Sequence, residues 1–140
     1  MDTHLESFKQ FMKQREAAAK AYVCGDPAPV DRLTTRVSPA TFFGPRGGAH
    51  QGAQHVLDKF NQDAALFGAD SDTHFEILDM GASESIAYWV GFQPSTVQMQ
   101  GNKEIYPMNL RVTEIFRRED NEWKLIHRHA DMLADTSEHA

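Results

Sequence analysis

The chain has 140 residues, 41% apolar and 24% charged, enough for one domain with a real core and too short for two. A formal net charge of −6 argues against nucleic acid and anionic membrane as partners, since both need a basic surface and no basic stripe offsets the balance. The longest uncharged runs are too short and too polar to span a bilayer, and the single cysteine, Cys24, excludes an internal disulfide and fits a reducing cytoplasm.

The opening stretch MDTHLESFKQFMKQREAAAK carries acids and lysines at helical spacing, so it does not read as a secretory leader. Leu5, Phe8, Met12, Ala19 and Tyr22 mark the apolar stripe of a first helix, which Gly25 ends. Asp26-Pro27 supplies a cap and a first-turn proline for a short second helix through about Leu33. ATFF at 40–43 predicts a brief strand, GPRGG at 44–48 a loop, and Val56, Phe60, Ala64 and Phe67 a third helix from about Gly52. Four β-rich segments follow, at 73–81, 85–93, 104–118 and 122–131, joined so tightly that they must pair antiparallel. Helices first and strands afterwards predict an α+β domain over 1–132, with a flexible tail at 133–140.

The last hairpin carries the chemistry. In NLRVTEIFRR, Leu110, Val112, Glu114 and Phe116 share a face, so a carboxylate sits among core residues. Trp123 and Leu125 identify the odd positions of the final strand as inward, which carries His127, His129 and Asp131 to the same side. With Arg118 opposite Trp123, Phe116 meets Leu125, Glu114 meets His127 and Val112 meets His129. An unpaired buried carboxylate costs several kcal/mol, so Glu114 must be protonated, paired or hydrated. Glu114–His127 is then either a working dyad or a satisfied structural pair.

The W-x-L-I-H-x-H ending, the strand RVTEIFRRED before it, and ATFFGPRGGAHQG leading into a helix resemble the nuclear transport factor 2-like superfamily. Within it the likeness is to the SnoaL-like and steroid delta-isomerase-like branch and to the association domain of calcium/calmodulin-dependent kinase, over residues 1–131. The resemblance implies a cystatin-like cone, a curved antiparallel sheet wrapped around three N-terminal helices, with a pocket between sheet and helices. It also implies a homodimer through the outer sheet face and a small, largely apolar ligand lined by Tyr22, Phe43, Val112, Phe116 and His129.

The isomerase's protonated oxyanion-hole aspartate falls on Glu114, and its inward positions on the last strand fall on His127, His129 and Asp131. The kinase comparison instead puts its last pocket arginine on Ala130, which a bulge near the strand end would reconcile. The isomerase's base position holds Gly44, and its oxyanion tyrosine falls on Ala18, one turn before Tyr22, so the standard steroid isomerase mechanism is not expected. Asp131 is the nearest match to the carboxylate base of SnoaL-like cyclases. The resulting expectation is a cofactor-independent isomerase, cyclase or dehydratase, with His127 as base and protonated Glu114 as donor to an oxyanion. The alternative is a non-catalytic ligand-binding or oligomerisation module.

No metal site is expected: His127-x-His129 lacks a third ligand, and His50 and His55, five apart, share no helical face. No cofactor is expected either, because proton transfer on a carbonyl-activated carbon needs none, and GPRGG lacks the lysine and spacing of a phosphate-binding loop.

Overall fold

Three helices come first in the computed structural model, which describes residues 3–134: α1 (Thr3–Val23), α2 (Ala28–Leu33) and α3 (Ala53–Ala64). On α1 the buried positions are Phe8, Phe11, Met12, Arg15, Ala18, Ala19 and Val23, one stripe of helical period with a guanidinium at its centre. Gly25 ends α1 at φ +100°, a left-handed conformation that costs glycine little, and the Asp26 N–H donates back to Ala21 O at 2.9 Å. The Asp26 carboxylate accepts the Ala28 N–H at 3.0 Å, but α2 starts one residue later than the sequence predicts, with Pro27 at the cap position. The third helix stops at Ala64, short of the expected Phe67. The tail expected at 133–140 lies, from 135 onward, outside the described residues.

The strands are β1 (Thr41–Phe43), β2 (Ala49–Gln51), β3 (Asp72–Thr73), β4 (Glu76–Ala82), β5 (Ile86–Gln93), β6 (Ser95–Gln98), β7 (Ile105–Pro107), β8 (Leu110–Glu119) and β9 (Glu122–Met132). Six form a curved, unclosed sheet in the order β2-β1-β9-β8-β5-β4, and β3-β6-β7 form a second, smaller one. The architecture is α+β as expected, but the main sheet is mixed, because β1 runs parallel to β9. The chain between those two strands carries α3 and the strands β2 to β8, and that length permits the parallel contact that a tight turn forbids. The expected strand at 104–118 divides in two: β7, ending at Pro107, pairs with β6, while β8 joins β5 and β9.

One face of the main sheet packs on α1 and α3. Phe8 meets Phe116 and Trp123 with ring centroids 5.3 and 5.7 Å apart, and Phe42 meets Phe60 at 4.7 Å. Each such buried ring contributes about 1.5–3 kcal/mol over its exposed state. β4 presses onto β5 so closely that a Cβ on Gly91 would stand 2.0 Å from the Glu76 carbonyl oxygen.

Candidate functional site

Glu114 faces the helices from the middle of β8 and is fully buried. The hairpin starts in the expected register, with Arg118 opposite Trp123 and Phe116 opposite Leu125. One residue later it changes: Ile115 lies opposite His127, so Ile126 has no partner of its own and forms a β-bulge. The other edge of β9 changes neighbour at the same point. Leu125 O accepts the Thr35 N–H at 3.0 Å, while from His127 onward the partner is β1.

The extra residue turns the rest of β9 over. Arg128 faces Glu114 and Ala130 faces Val112, both on the core side, while His127, His129 and Asp131 move to the outer face. The expected Glu114–His127 and Val112–His129 pairs are therefore not formed. A single bulge overturns every assignment beyond it that rests on strict alternation.

Four hydrogen bonds converge on the carboxylate of Glu114. Its Oε1 accepts from Arg15 Nε at 3.0 Å and from Trp89 Nε1 at 2.8 Å. Its Oε2 accepts from Arg15 Nη2 at 2.8 Å and from Arg128 Nη1 at 2.7 Å. Burial pushes the Glu114 carboxyl up, but the Arg15 and Arg128 guanidiniums outweigh it and hold the group at about 2. Glu114 is thus ionised near neutral pH and has no proton to donate.

The network continues from Arg128 Nη2, which donates to Gln93 Oε1 at 2.7 Å. Gln93 Nε2 donates to Thr73 Oγ1 at 3.1 Å, and Thr73 shares a 2.7 Å bond with Ser95. Two guanidiniums and one carboxylate leave the cluster with one net positive charge. Arg15 Nη1, buried beside it, has no acceptor among the described residues. The side chain of Arg128 keeps 11% of its surface in solvent, against none for Glu114, so it is the member of the triad that reaches outward.

The ligand-lining group expected from the sequence is divided between the two sheet faces. Val112 and Phe116 are buried on the inner face, and Tyr22 packs its ring against Phe60 and Phe67. Burial, with Asp63 nearby, raises the Tyr22 phenol, while Arg128 and Arg15 pull it the other way. Phe43 lies on the outer face, with ring centroids 5.3 and 5.6 Å from His127 and His129. His127 Nδ1 shares a 2.7 Å bond with Thr41 Oγ1, and burial followed by His129 lowers its pKa. Asp131 accepts two bonds from Arg111, at 2.7 and 2.8 Å, and those bonds hold its carboxyl below the usual range.

The sequence reading missed Arg15, Arg128, Trp89 and Gln93. A signal for Arg15 was present: it stands in the gap between Met12 and Ala19 on the apolar stripe of α1, three residues from Met12. Arg128 carried none without the bulge.

Two clefts open elsewhere, one of about 300 Å³ between α1 and β4, and one of about 650 Å³ beside the β8–β9 turn. No helix among the described residues is long and apolar enough to cross a membrane. Among them, too, no three His, Cys, Asp or Glu side chains are gathered as a metal would require.

Helices against one face of a curved, unclosed α+β sheet are the fold of the nuclear transport factor 2-like class. Residues 9–135 match the model of the SnoaL-like domain, and the chain belongs to that family. Solved structures agree on the fold. A provisionally assigned dehydratase of the NTF2-like family from Streptomyces avermitilis superposes with a TM-score of 0.75 at 18% identity, covering 95% of this chain and 100% of its own. An uncharacterized protein with a cystatin-like fold from Caulobacter vibrioides gives 0.74 at 9% identity, covering 99% and 95%. A provisionally assigned calcium/calmodulin-dependent protein kinase II association domain from Xanthomonas campestris gives 0.66 at 13% identity, covering 82% and 79%. No match to a curated protein is found.

Proposed function

We propose that the chain is a small-molecule-binding protein of the SnoaL-like family, whose ligand pairs a compact apolar body with one carboxylate or carbonyl group directed at Arg128. The supporting observation is the Arg15–Glu114–Arg128 triad, which carries one uncompensated positive charge and an N–H of Arg15 without an acceptor. A buried cation with spare donor capacity favours an electron-rich group, and Tyr22 and Val112 supply apolar packing on the same side. In this reading Glu114 anchors the arginines and transfers no proton, because its carboxyl is ionised well below neutral pH. That favours the binding module over the Glu114–His127 acid–base dyad, and over proton-transfer isomerisation or dehydration through Glu114.

Calorimetric titration with benzoate, beside benzyl alcohol as a neutral control, tests the reading. Benzoate is expected to bind and to raise the melting temperature, since a ligand of the folded state alone must stabilise it. Arg128→Met is expected to abolish the effect, and Tyr22→Phe to weaken it while keeping the triad intact. No heat from benzoate, or equal heat in both variants, overturns the assignment.

We further propose a homodimer through the outer sheet face, in line with the association-domain assignment of the Xanthomonas relative. Phe43 is 39% and Ile86 41% exposed on that face, apolar side chains that a subunit contact would cover. Sedimentation of the protein and of an Ile86→Lys, Phe43→Glu variant checks it: a dimer becoming a monomer supports it, and an unchanged mass overturns it. The lone Cys24 agrees with a cytoplasmic location.

A further inference from the structure

The cleft between α1 and β4 exists because β4 is an edge strand. Its core-side residues Ile77 and Met80 stand beside Gly91 and Trp89 of β5, with no strand on their other flank. A bulge at Leu78 bends the strand there, and α1 leaves part of this face uncovered. Met12, Phe75, Ile77 and Met80 form an apolar floor, and Lys9, Lys13 and Glu16 form the wall above it.

The charges on that wall are unequally engaged. Glu16 turns its carboxylate to the backbone, where Oε2 accepts the Phe75 N–H at 2.8 Å. Lys9 stands 3.8 Å from Glu6, both of them exposed, whereas Lys13 is exposed and makes no ion pair among the described residues. Beneath the floor the Phe75 ring lies 5.4 Å from the Arg15 guanidinium, which holds the buried N–H without an acceptor. Lys13 is thus the cation of that wall left to meet an anion, over an apolar trough of about 300 Å³. The volume is at the low end of small-molecule sites, roughly 300–1,000 Å³.

An apolar floor with one lysine, unpaired among the described residues, at its side suits a molecule with a tail and a single anionic head. We propose that this groove binds a free, medium-chain alkyl carboxylate, its chain along Met12, Phe75, Ile77 and Met80 and its headgroup at Lys13. The site is separate from the Arg128 cluster and does not depend on it.

Titration with monomeric decanoate, followed by calorimetry and by amide chemical shifts, tests the assignment, with decanol as the neutral analogue. Shifts confined to the neighbourhood of Met12, Phe75 and Met80 are expected, with decanol weaker by about tenfold, a ratio that one screened ion pair can supply. Lys13→Glu should reduce decanoate binding by about tenfold and leave decanol unchanged. Met80→Asp should abolish both while circular dichroism stays as in the parent. Equal affinity for the two ligands, shifts at Tyr22 and Arg128 instead, or binding only to vesicles that contain decanoate would each overturn it. A drop in mass of Met80→Asp on sedimentation would overturn it too, by making the groove a contact between subunits. Lys13 is exposed, so its variant remains informative even where Met80→Asp fails to fold.

Discussion

Glu114 and Arg128 stand directly opposite each other across the β8–β9 hairpin, with Nη1 donating to Oε2 at 2.7 Å. Arg15 closes the triad from α1, so one carboxylate ties the first helix to the last two strands. Glu114→Gln leaves two guanidiniums buried without a counter-charge and is expected to destabilise the fold by about 3–5 kcal/mol. Replacing the whole cluster, as Arg15→Met, Glu114→Leu, Arg128→Met, is expected to recover most of that loss, because no charge is then left unpaired. Urea denaturation of the three proteins decides it. A triple variant as unstable as Glu114→Gln would mean that the network contributes more than mutual charge compensation.

The depressed Glu114 carboxyl links stability to pH. Its folded value of about 2 lies below the ordinary 4.5, so the folded state binds the proton less readily than the unfolded chain. The contribution is present in full above the unfolded value and is lost as pH falls from about 4.5 through about 2. With 1.36 kcal/mol per pKa unit, the window holds on the order of 3 kcal/mol. Denaturation midpoints measured from pH 6 down to pH 2 should show that decline in the parent protein. Glu114→Gln should show a decline smaller by that amount.

His127 offers a second titration, on the outer face. Burial and the neighbouring His129 lower its pKa, so protonation favours the unfolded chain, and its contribution is present above the ordinary imidazole value and fades as pH falls through the folded one. An NMR titration should find the His127 ring neutral at pH 7, with its Nδ1 bonded to Thr41. A pKa raised above the ordinary value would mean that His127 faces a carboxylate after all, and that the bulge at Ile126 is absent.

Gly91→Ala tests the close approach of β4 to β5. The new methyl would meet the Glu76 carbonyl oxygen at 2.0 Å, a backbone atom that cannot swing aside, so the edge strand must lift. A loss of about 1–3 kcal/mol is expected in denaturant unfolding. Hydrogen exchange should speed up across Glu76–Ala82 more than in β8. An unchanged melting temperature would show that the strands separate at no cost.

Much of the architecture was legible because it rests on local periodicity. The stripe Leu5, Phe8, Met12 marked α1, Gly25 its end, and the alternation of Leu110, Val112, Glu114 and Phe116 the inner face of β8. The site was legible only up to Glu114. That this carboxylate must find a charged partner follows from the cost of burying it alone, and the chain alone determines that much. Which partner it finds was decided in three dimensions. Ile126 bulges where β9 exchanges residues 34–35 for β1 as its neighbour, and that exchange depends on segments some 90 residues apart in sequence. One extra residue there turns the histidines outward and Arg128 inward, because side chains alternate with a period of two and a strand cannot absorb an odd insertion without changing face.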